Sequence, residues 1–281
     1  MRYDVPLIVK VLAIVGFGIL YIPVMIMMIY SFNSGKLVAV WAGFSTKWYR
    51  ELWTDDILLS ALYKSLLIGM SSATISTFFG LLIAIAFVRF SAFRARLTLS
   101  LVASAPLVMP EAVTGLSMLL LFIAMETTFG WPSGRGVDTI MIAHATFGMC
   151  FAAVVIQTRL RDMDRYLEEA ARDLGERQPF VFISITLPLI FPAIIAAWLL
   201  SFTLSFDDLV IASFVSGPGS STLPIVIFSK IRLGVSPEIN AIATLMILTI
   251  SAMVLAGSLL ILQREGSKKP NQLKHYEKFK K

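Results

Sequence analysis

Three carboxylates stand where a water-soluble fold would not put them. Glu111, Asp207 and Asp208 lie inside or at the ends of long apolar runs, and no Lys or Arg within those runs is placed to pair with them. In hydrocarbon a carboxylate costs roughly 2.5 to 3.5 kcal/mol on insertion scales, so it is retained only where it meets water, a partner group or a substrate. The chemistry these residues offer is the binding of a cation. Pro106 and Pro110 precede Glu111, and proline frees backbone carbonyls that a cation can also use. Trp198, in the run that leads to the aspartates, can stack on an alkyl ammonium. Each residue also has a plainer reading: Glu111 suits the first turn of a half-helix, the aspartates suit the end of a span, and Trp198 suits packing. Adjacent residues point about 100° apart in a helix, so one aspartate can face a pathway while the other caps or packs.

Other chemistry is excluded. His144 has no second ligand at a useful spacing and His275 stands in a polar tail, so neither reads as a metal ligand. The single cysteine, Cys150, rules out an intrachain disulfide and a cysteine-only metal site. Gly115-x-Ser117 begins like a nucleophile elbow, but Leu119 occupies the position of its second glycine. The sequence has no G-x-x-x-x-G-K-[ST] and no H-E-x-x-H. It therefore implies no enzyme, no cofactor and no nucleotide site of its own, and energy for any work must come from another chain.

The elements that position these acids are membrane spans. Of 281 residues, 57% are apolar and only 15% are charged, and mean hydropathy is +0.80. Stretches of about 20 apolar residues cross a bilayer as helices, and six are expected, at about 8–32, 62–88, 97–125, 139–158, 187–210 and 239–262. The third is broken by Pro106 and Pro110. The run 209–229 is interrupted by Ser216, Gly217, Pro218, Gly219, Ser220 and Ser221, which read as a turn between short segments. The net charge of +6 speaks of orientation rather than nucleic acid. Six spans with both termini inside place 17 of the 24 basic residues on the inner side, as the positive-inside rule requires, whereas a seventh span would export the lysine-rich tail 263–281. The first span is too long for a signal peptide and lacks a small-x-small cleavage site. Trp41, Trp48, Tyr49, Trp53 and Trp131 read as interface anchors. No outer segment exceeds about 35 residues, too few for a folded domain, so capture of a solute needs another protein. The whole chain, 1–281, reads as one transmembrane domain.

One inner segment, 159–187, is long and patterned. Asp164 can cap a helix in which Tyr166, Leu167, Ala170, Ala171 and Leu174 recur at three- and four-residue spacing, with Gly175 at its C-terminal cap. Arg165, Glu168, Glu169, Arg172 and Asp173 occupy the other face, and a second segment, 176–184, leads into the fifth span. Glu169-Ala170-Ala171, three residues, Gly175, nine residues, then Ile185-x-Leu187-Pro188 matches every fixed position of the EAA signature. By this the chain resembles the inner-membrane subunits of bacterial ABC importers.

The resemblance extends along nearly the whole sequence. Tyr30-Ser-Phe-Asn33, Ala105-Pro-Leu-Val-Met-Pro110, Ser205-Phe-Asp207-Asp208-Leu-Val-Ile-Ala212, Gly217-Pro-Gly219 and Thr222-Leu-Pro224 resemble the spermidine/putrescine permeases, with the second-permease branch of the putrescine importers the most similar. The resemblance implies an all-α membrane protein of type I ABC-importer permease architecture, with six transmembrane helices and a cytoplasmic coupling helix. Glu169, Ala170, Ala171 and Gly175 would engage the ATPase, while Asp207, Asp208, Glu111 and Trp198 would line the substrate pathway. It also implies the partners: a second permease subunit in a pseudo-symmetric heterodimer, ATP-binding cassette subunits, a periplasmic polyamine-binding protein and a polyamine substrate, in the bacterial inner membrane. The alternatives are an ABC permease for another substrate and an ion-coupled secondary transporter in which Glu111 or Asp208 carries the coupling proton.

Overall fold

A chain in hydrocarbon must satisfy every backbone N–H and C=O internally, and apolar runs of this length do so as helices. The computed structural model describes residues 6–35, 37, 40–90, 94–233 and 237–279, with side chains described through 259. In chain order these residues form α1 (Leu7–Tyr30), α2 (Lys47–Leu52), α3 (Asp56–Arg89), α4 (Arg96–Val108), α5 (Glu111–Phe129), α6 (Val137–Arg161), α7 (Tyr166–Asp173) and α8 (Gln178–Val181). A π turn at Phe182–Thr186 joins α8 to α9 (Leu187–Phe206), and α10 (Val210–Val215), α11 (Leu223–Leu233) and α12 (Pro237–Phe279) follow. No strand is found among the described residues.

Six helical segments are long and apolar enough to cross a membrane: Leu7–Tyr30, Asp56–Arg89, Glu111–Phe129, Val137–Arg161, Gln178–Phe206 and Pro237–Leu259. Their number is the expected one, and their bounds differ in two instructive places. The stretch 97–125 is two helices, α4 and α5, because Pro110 lacks an N–H and pushes Met109 into extended backbone (φ −76°, ψ 140°). The fifth span starts nine residues before the expected Leu187. Pro179 stands in the first turn of α8, where proline is favoured, and the π turn carries the helix through to α9 without a break. Beyond Phe206 the chain makes two short helices, α10 and α11, around a turn with Gly219 at φ +75°.

The chain falls into two compact units, residues 1–60 with 226–250, and 61–225 with 251–281. In the first, α1 buries none of its residues although it is apolar on all sides. The loop after it is built on Asn33, which is fully buried. Its Nδ2 donates to the Val40 carbonyl at 2.7 Å, and its Oδ1 accepts from the backbone N–H of Ala42 at 2.8 Å. Trp48 donates its indole N–H to the Asn33 carbonyl at 2.6 Å and is only 7% exposed, so it is a loop anchor and not the interface anchor expected of it. The same unit holds an ion triad: Lys230 Nζ lies 2.8 Å from Asp55 and 2.9 Å from Glu238.

In the second unit α6 packs along α9 and α10 packs against α5 and α6. One core joins Ile68, Phe122, Ile140, Phe147, Ile211 and Val215; another joins Val88, Ile156, Leu160 and Ile190. Lipid is as apolar as these side chains, so packing and interhelical hydrogen bonds, rather than removal from water, hold the helices together. Gly115 shows the tightness: a Cβ there would lie 2.7 Å from the Phe214 ring and 3.2 Å from the Ile211 Cα, so only glycine lets α10 close on α5.

Candidate functional site

Two polar assemblies stand out in the second unit, one around α7 and one where α9 gives way to α10. The first begins at the C-terminus of α3. Arg165 donates to the Val88 carbonyl at 2.8 Å and Arg96 to the Phe90 carbonyl at 2.9 Å, so two guanidinium groups satisfy carbonyls that the helix end leaves open. Between them Arg89 reaches to Glu168 on α7, and the same carboxylate oxygen accepts the hydroxyl of Thr186 from the π turn. Glu168 is 6% exposed and Thr186 1%. One buried carboxylate thus ties α7 both to α3 and to the start of the fifth span. A cavity of about 350 Å³ opens beside this clamp, with Arg89, Arg172, Gln178 and Phe182 among its lining residues.

The rest of the chain covers the polar face of α7 and leaves its apolar face open. Glu168, on the polar face, points inward, whereas Tyr166, Leu167 and Leu174, on the apolar face, are 76%, 48% and 86% exposed. Ala170 is exposed and Ala171 half-buried beside them, and Glu169 projects outward. An eight-residue helix whose apolar side is open and whose hidden side is held by an ion pair is shaped to receive another surface. Its end follows the sequence: Gly175 adopts φ +89°, its N–H bonds to the Arg172 carbonyl at 2.8 Å, and the Glu176 N–H bonds to Ala171 at 3.2 Å. This double bond closes a Schellman motif around the one residue type that takes the left-handed conformation freely. Asp164 acts at the other end, accepting from the Tyr166 N–H at 3.0 Å.

The second assembly contains the acids, and it separates them. Asp207 ends α9 with its side chain exposed. Asp208 turns inward, its side chain 7% exposed, and accepts from the N–H groups of Ala212 (2.7 Å) and Ile211 (3.3 Å), capping α10. The same Asp208 oxygen that binds Ala212 lies 3.1 Å from His144 Nε2. His144, 4% exposed, stands seven residues into α6, roughly 10 Å along the helix from its start. Its Nδ1 is 2.7 Å from Ser205 Oγ, which accepts from Ser72 on α3 at 2.9 Å. Sequence reasoning found no cation to pair with the acids and set His144 aside. A histidine seven residues from a helix start gives no local signal of a partner 64 positions away.

Glu111 is exposed in the first turn of α5, directly after Pro110, and within Coulombic range of Asp207, as are Asp208 and His144. Glu111 and Asp207 are thus two exposed carboxylates within Coulombic range of each other, and Asp208 is withdrawn into the protein. Trp198 is engaged in packing. Its N–H donates to Thr74 at 3.1 Å, and its ring stacks on Phe202 at 5.6 Å, with Phe206 stacked beyond.

Comparison with known proteins places these features. Residues 76–264 match the family described as binding-protein-dependent transport system inner membrane component. The chain is 55% identical over 237 residues to the putrescine transport system permease protein PotI of Escherichia coli K12, covering 84% of each. It is 39% identical over 244 residues to the spermidine/putrescine permease PotC of the same organism, covering 87% of this chain and 90% of that one. In fold it is similar to a chain of the bacterial ABC transporter for the acidic polysaccharide alginate, with TM-score 0.66 at 15% identity over 89% of this chain and 93% of the other. A chain of the methionine ABC transporter MetNI matches with TM-score 0.62 at 14% identity, over 76% and 98%. The all-α fold, its six candidate membrane helices and the likeness across most of its length agree: the chain belongs to the binding-protein-dependent transport system inner membrane component family of ABC-importer permeases.

Proposed function

We propose that this protein is a permease subunit of an ATP-driven polyamine importer, working by alternating access with a second permease subunit, ATP-binding subunits and a polyamine-binding protein on the outer side. The observation that carries the reading is α7. A clamped helix with an open apolar face and a Schellman turn at Gly175 is what a subunit without a nucleotide site needs if it is to be moved by one that has it. Tyr166, Leu167, Ala170, Ala171 and Leu174 form the receiving surface, and Glu169 offers a carboxylate to basic groups of the partner. Both termini and the 159–187 loop then lie on the cytoplasmic side.

Substrate chemistry follows from the open acids and from the relatives, whose names specify putrescine or spermidine. A diamine leaves water reluctantly, and two carboxylates on different helices replace part of the hydration of its ammonium groups. Glu111 and Asp207 supply them. Asp208 contributes by fixing their setting, and Trp198 by packing α9. The test is putrescine uptake by the reconstituted importer. Asp207→Asn and Glu111→Gln keep shape and remove charge, and each should cut uptake by about tenfold, the loss of one charge-assisted hydrogen bond, while ATP-binding subunits stay attached. Uptake equal to wild type in both variants overturns the cation pathway. Loss of the ATP-binding subunits from Leu174→Asp is the matching expectation for α7.

A further inference from the structure

The polar chain beneath the acids has more order than packing requires. Three side chains from three helices and a fourth from the turn after α9 run Ser72, Ser205, His144, Asp208, with successive separations of 2.9, 2.7 and 3.1 Å. His144, Ser205 and Ser72 are all more than nine-tenths buried, so each proton needs a protein partner, and the Ser72 hydroxyl also lies 3.2 Å from the Gly69 carbonyl. The separations fit an arrangement in which His144 Nε2–H donates to Asp208, Nδ1 accepts the Ser205 hydroxyl, and Ser205 accepts the hydroxyl of Ser72. The carboxylate, fixed from that side, still has lone pairs for Ala212 and Ile211 at the start of α10.

Resting on the cation pathway above, we propose that His144 is a positioning residue for transport: it orients Asp208 as the cap of α10 and thereby fixes the position of the neighbouring Asp207, which lies within Coulombic range of Glu111. Asp207 is joined to Asp208 by one peptide bond and lies on the exposed side of the same turn. If Asp208 loses its histidine, its carboxylate is free to leave the α10 amides, and the turn carrying Asp207 loses a buried anchor on α6. Ser205 and Ser72 hold the ring from behind, which makes α3 part of the support.

The ring geometry provides a test that simple destabilisation would not satisfy. Glutamine places its amide N–H near the position of Nε2 and can still donate to Asp208. Asparagine reaches only the position of Nδ1 and keeps the Ser205 contact alone. Maximal putrescine uptake is measured per assembled complex for the whole importer. His144→Asn should lower it by about tenfold, the loss of one hydrogen bond to a charged group, and His144→Gln should restore most of it. His144→Asn added to Asp208→Asn should cost no more than about twofold beyond either single change, because linked residues are not additive. The same non-additivity is expected on the Asp207→Asn background. Equal uptake by the Gln and Asn variants, or multiplicative losses in the double variants, overturns the proposal. Wild-type uptake by both Asp207→Asn and Glu111→Gln would instead overturn the cation pathway, and the His144 and Asp208 pair would still report whether the two act as a unit.

Discussion

Replacing Glu168 with alanine tests the clamp under α7 more directly than any change on its exposed face. The carboxylate serves Arg89 and Thr186 at once and is 6% exposed. Breaking a buried pair by removing one partner costs about 3 to 5 kcal/mol. The Arg89 side chain is 20% exposed and borders a cavity, so it recovers part of its hydration, which sets the arginine share at the lower end. Thr186 lines the same cavity but is only 1% exposed, and an orphaned buried hydroxyl costs roughly 1 to 3 kcal/mol. With the hydroxyl also at its lower end, a local loss of about 4 kcal/mol follows, equivalent to roughly a 900-fold rise in the population with α7 undocked. The loss is local because neither core cluster includes a residue of α7. Expression and helix content should therefore stay at wild-type levels, while the putrescine imported per ATP hydrolysed falls. Trypsin should cut faster at Arg165 and Arg172. Arg89→Met should show the same deficit, and the double variant should be no worse than either single one. Wild-type stoichiometry of transport to hydrolysis in Glu168→Ala, with unchanged protection of both arginines, refutes the clamp.

Gly175→Val forces a β-branched residue to φ +89°, at a cost of about 1 to 2 kcal/mol or more; uptake should fall while membrane insertion is unchanged, and coupled uptake at wild-type rate would refute the turn's role. The ion triad predicts a pH dependence. Burial pushes the Asp55 carboxyl upward, but Lys230 and the N–H groups of Leu58 and Ile57 outweigh it, so its pKa is lowered; burial pushes Lys230 downward, but Asp55 and Glu238 outweigh it, so its pKa is raised. The Asp55 contribution is thus present above the ordinary carboxylate range and lost as pH falls through its lowered value, and the Lys230 contribution is present below the ordinary amine range and lost as pH rises through its raised value. Thermal stability of the purified complex should lose both limbs in Lys230→Met, and an unchanged pH profile in that variant would sink the assignment. A reporter fused after Lys281 should be active only in its cytoplasmic form.

What was legible in the sequence was local. The EAA spacing, the Gly175 turn and the break at Pro110 each depend on residues within a few positions of one another, and each forms as that logic requires. The burial of Glu168 was not legible because an amphipathic pattern says which residues share a face, not which face the rest of the chain covers. In α7 the apolar face is open, and the hidden one was chosen by Arg89, 79 residues earlier. The fifth span is expected to begin at Leu187, where the loop signature ends, although the uncharged run starts at Gln178 and the π turn at Phe182–Thr186 continues the helix through it. Asp208 could be separated from Asp207 only by seeing His144, since two adjacent aspartates are equivalent until something packs against one of them.

The two polar assemblies share a pair of helices, and their spacing gives that sharing mechanical content. Arg89 on α3 meets the fifth span through Glu168 and Thr186, and Ser72 on α3 meets it again at Ser205. These ties are 17 residues apart on α3 and 19 apart on the fifth span, or roughly 25 and 28 Å of helix. Helices joined by buried hydrogen bonds at two well-separated levels, with Trp198 bonded to Thr74 between them, resist sliding past each other. A displacement imposed on α7 therefore reaches α3 and the fifth span together and is delivered at Ser72 and Ser205, the residues that hold His144. Amide exchange at Ile211 and Ala212 reads that delivery, since both amides are held by Asp208. In the wild-type complex ATP should alter their protection, and in Glu168→Ala the ATP-dependent change should vanish while protection without ATP is kept. A response to ATP that survives in the variant would mean that the signal travels by a route other than this pair of helices.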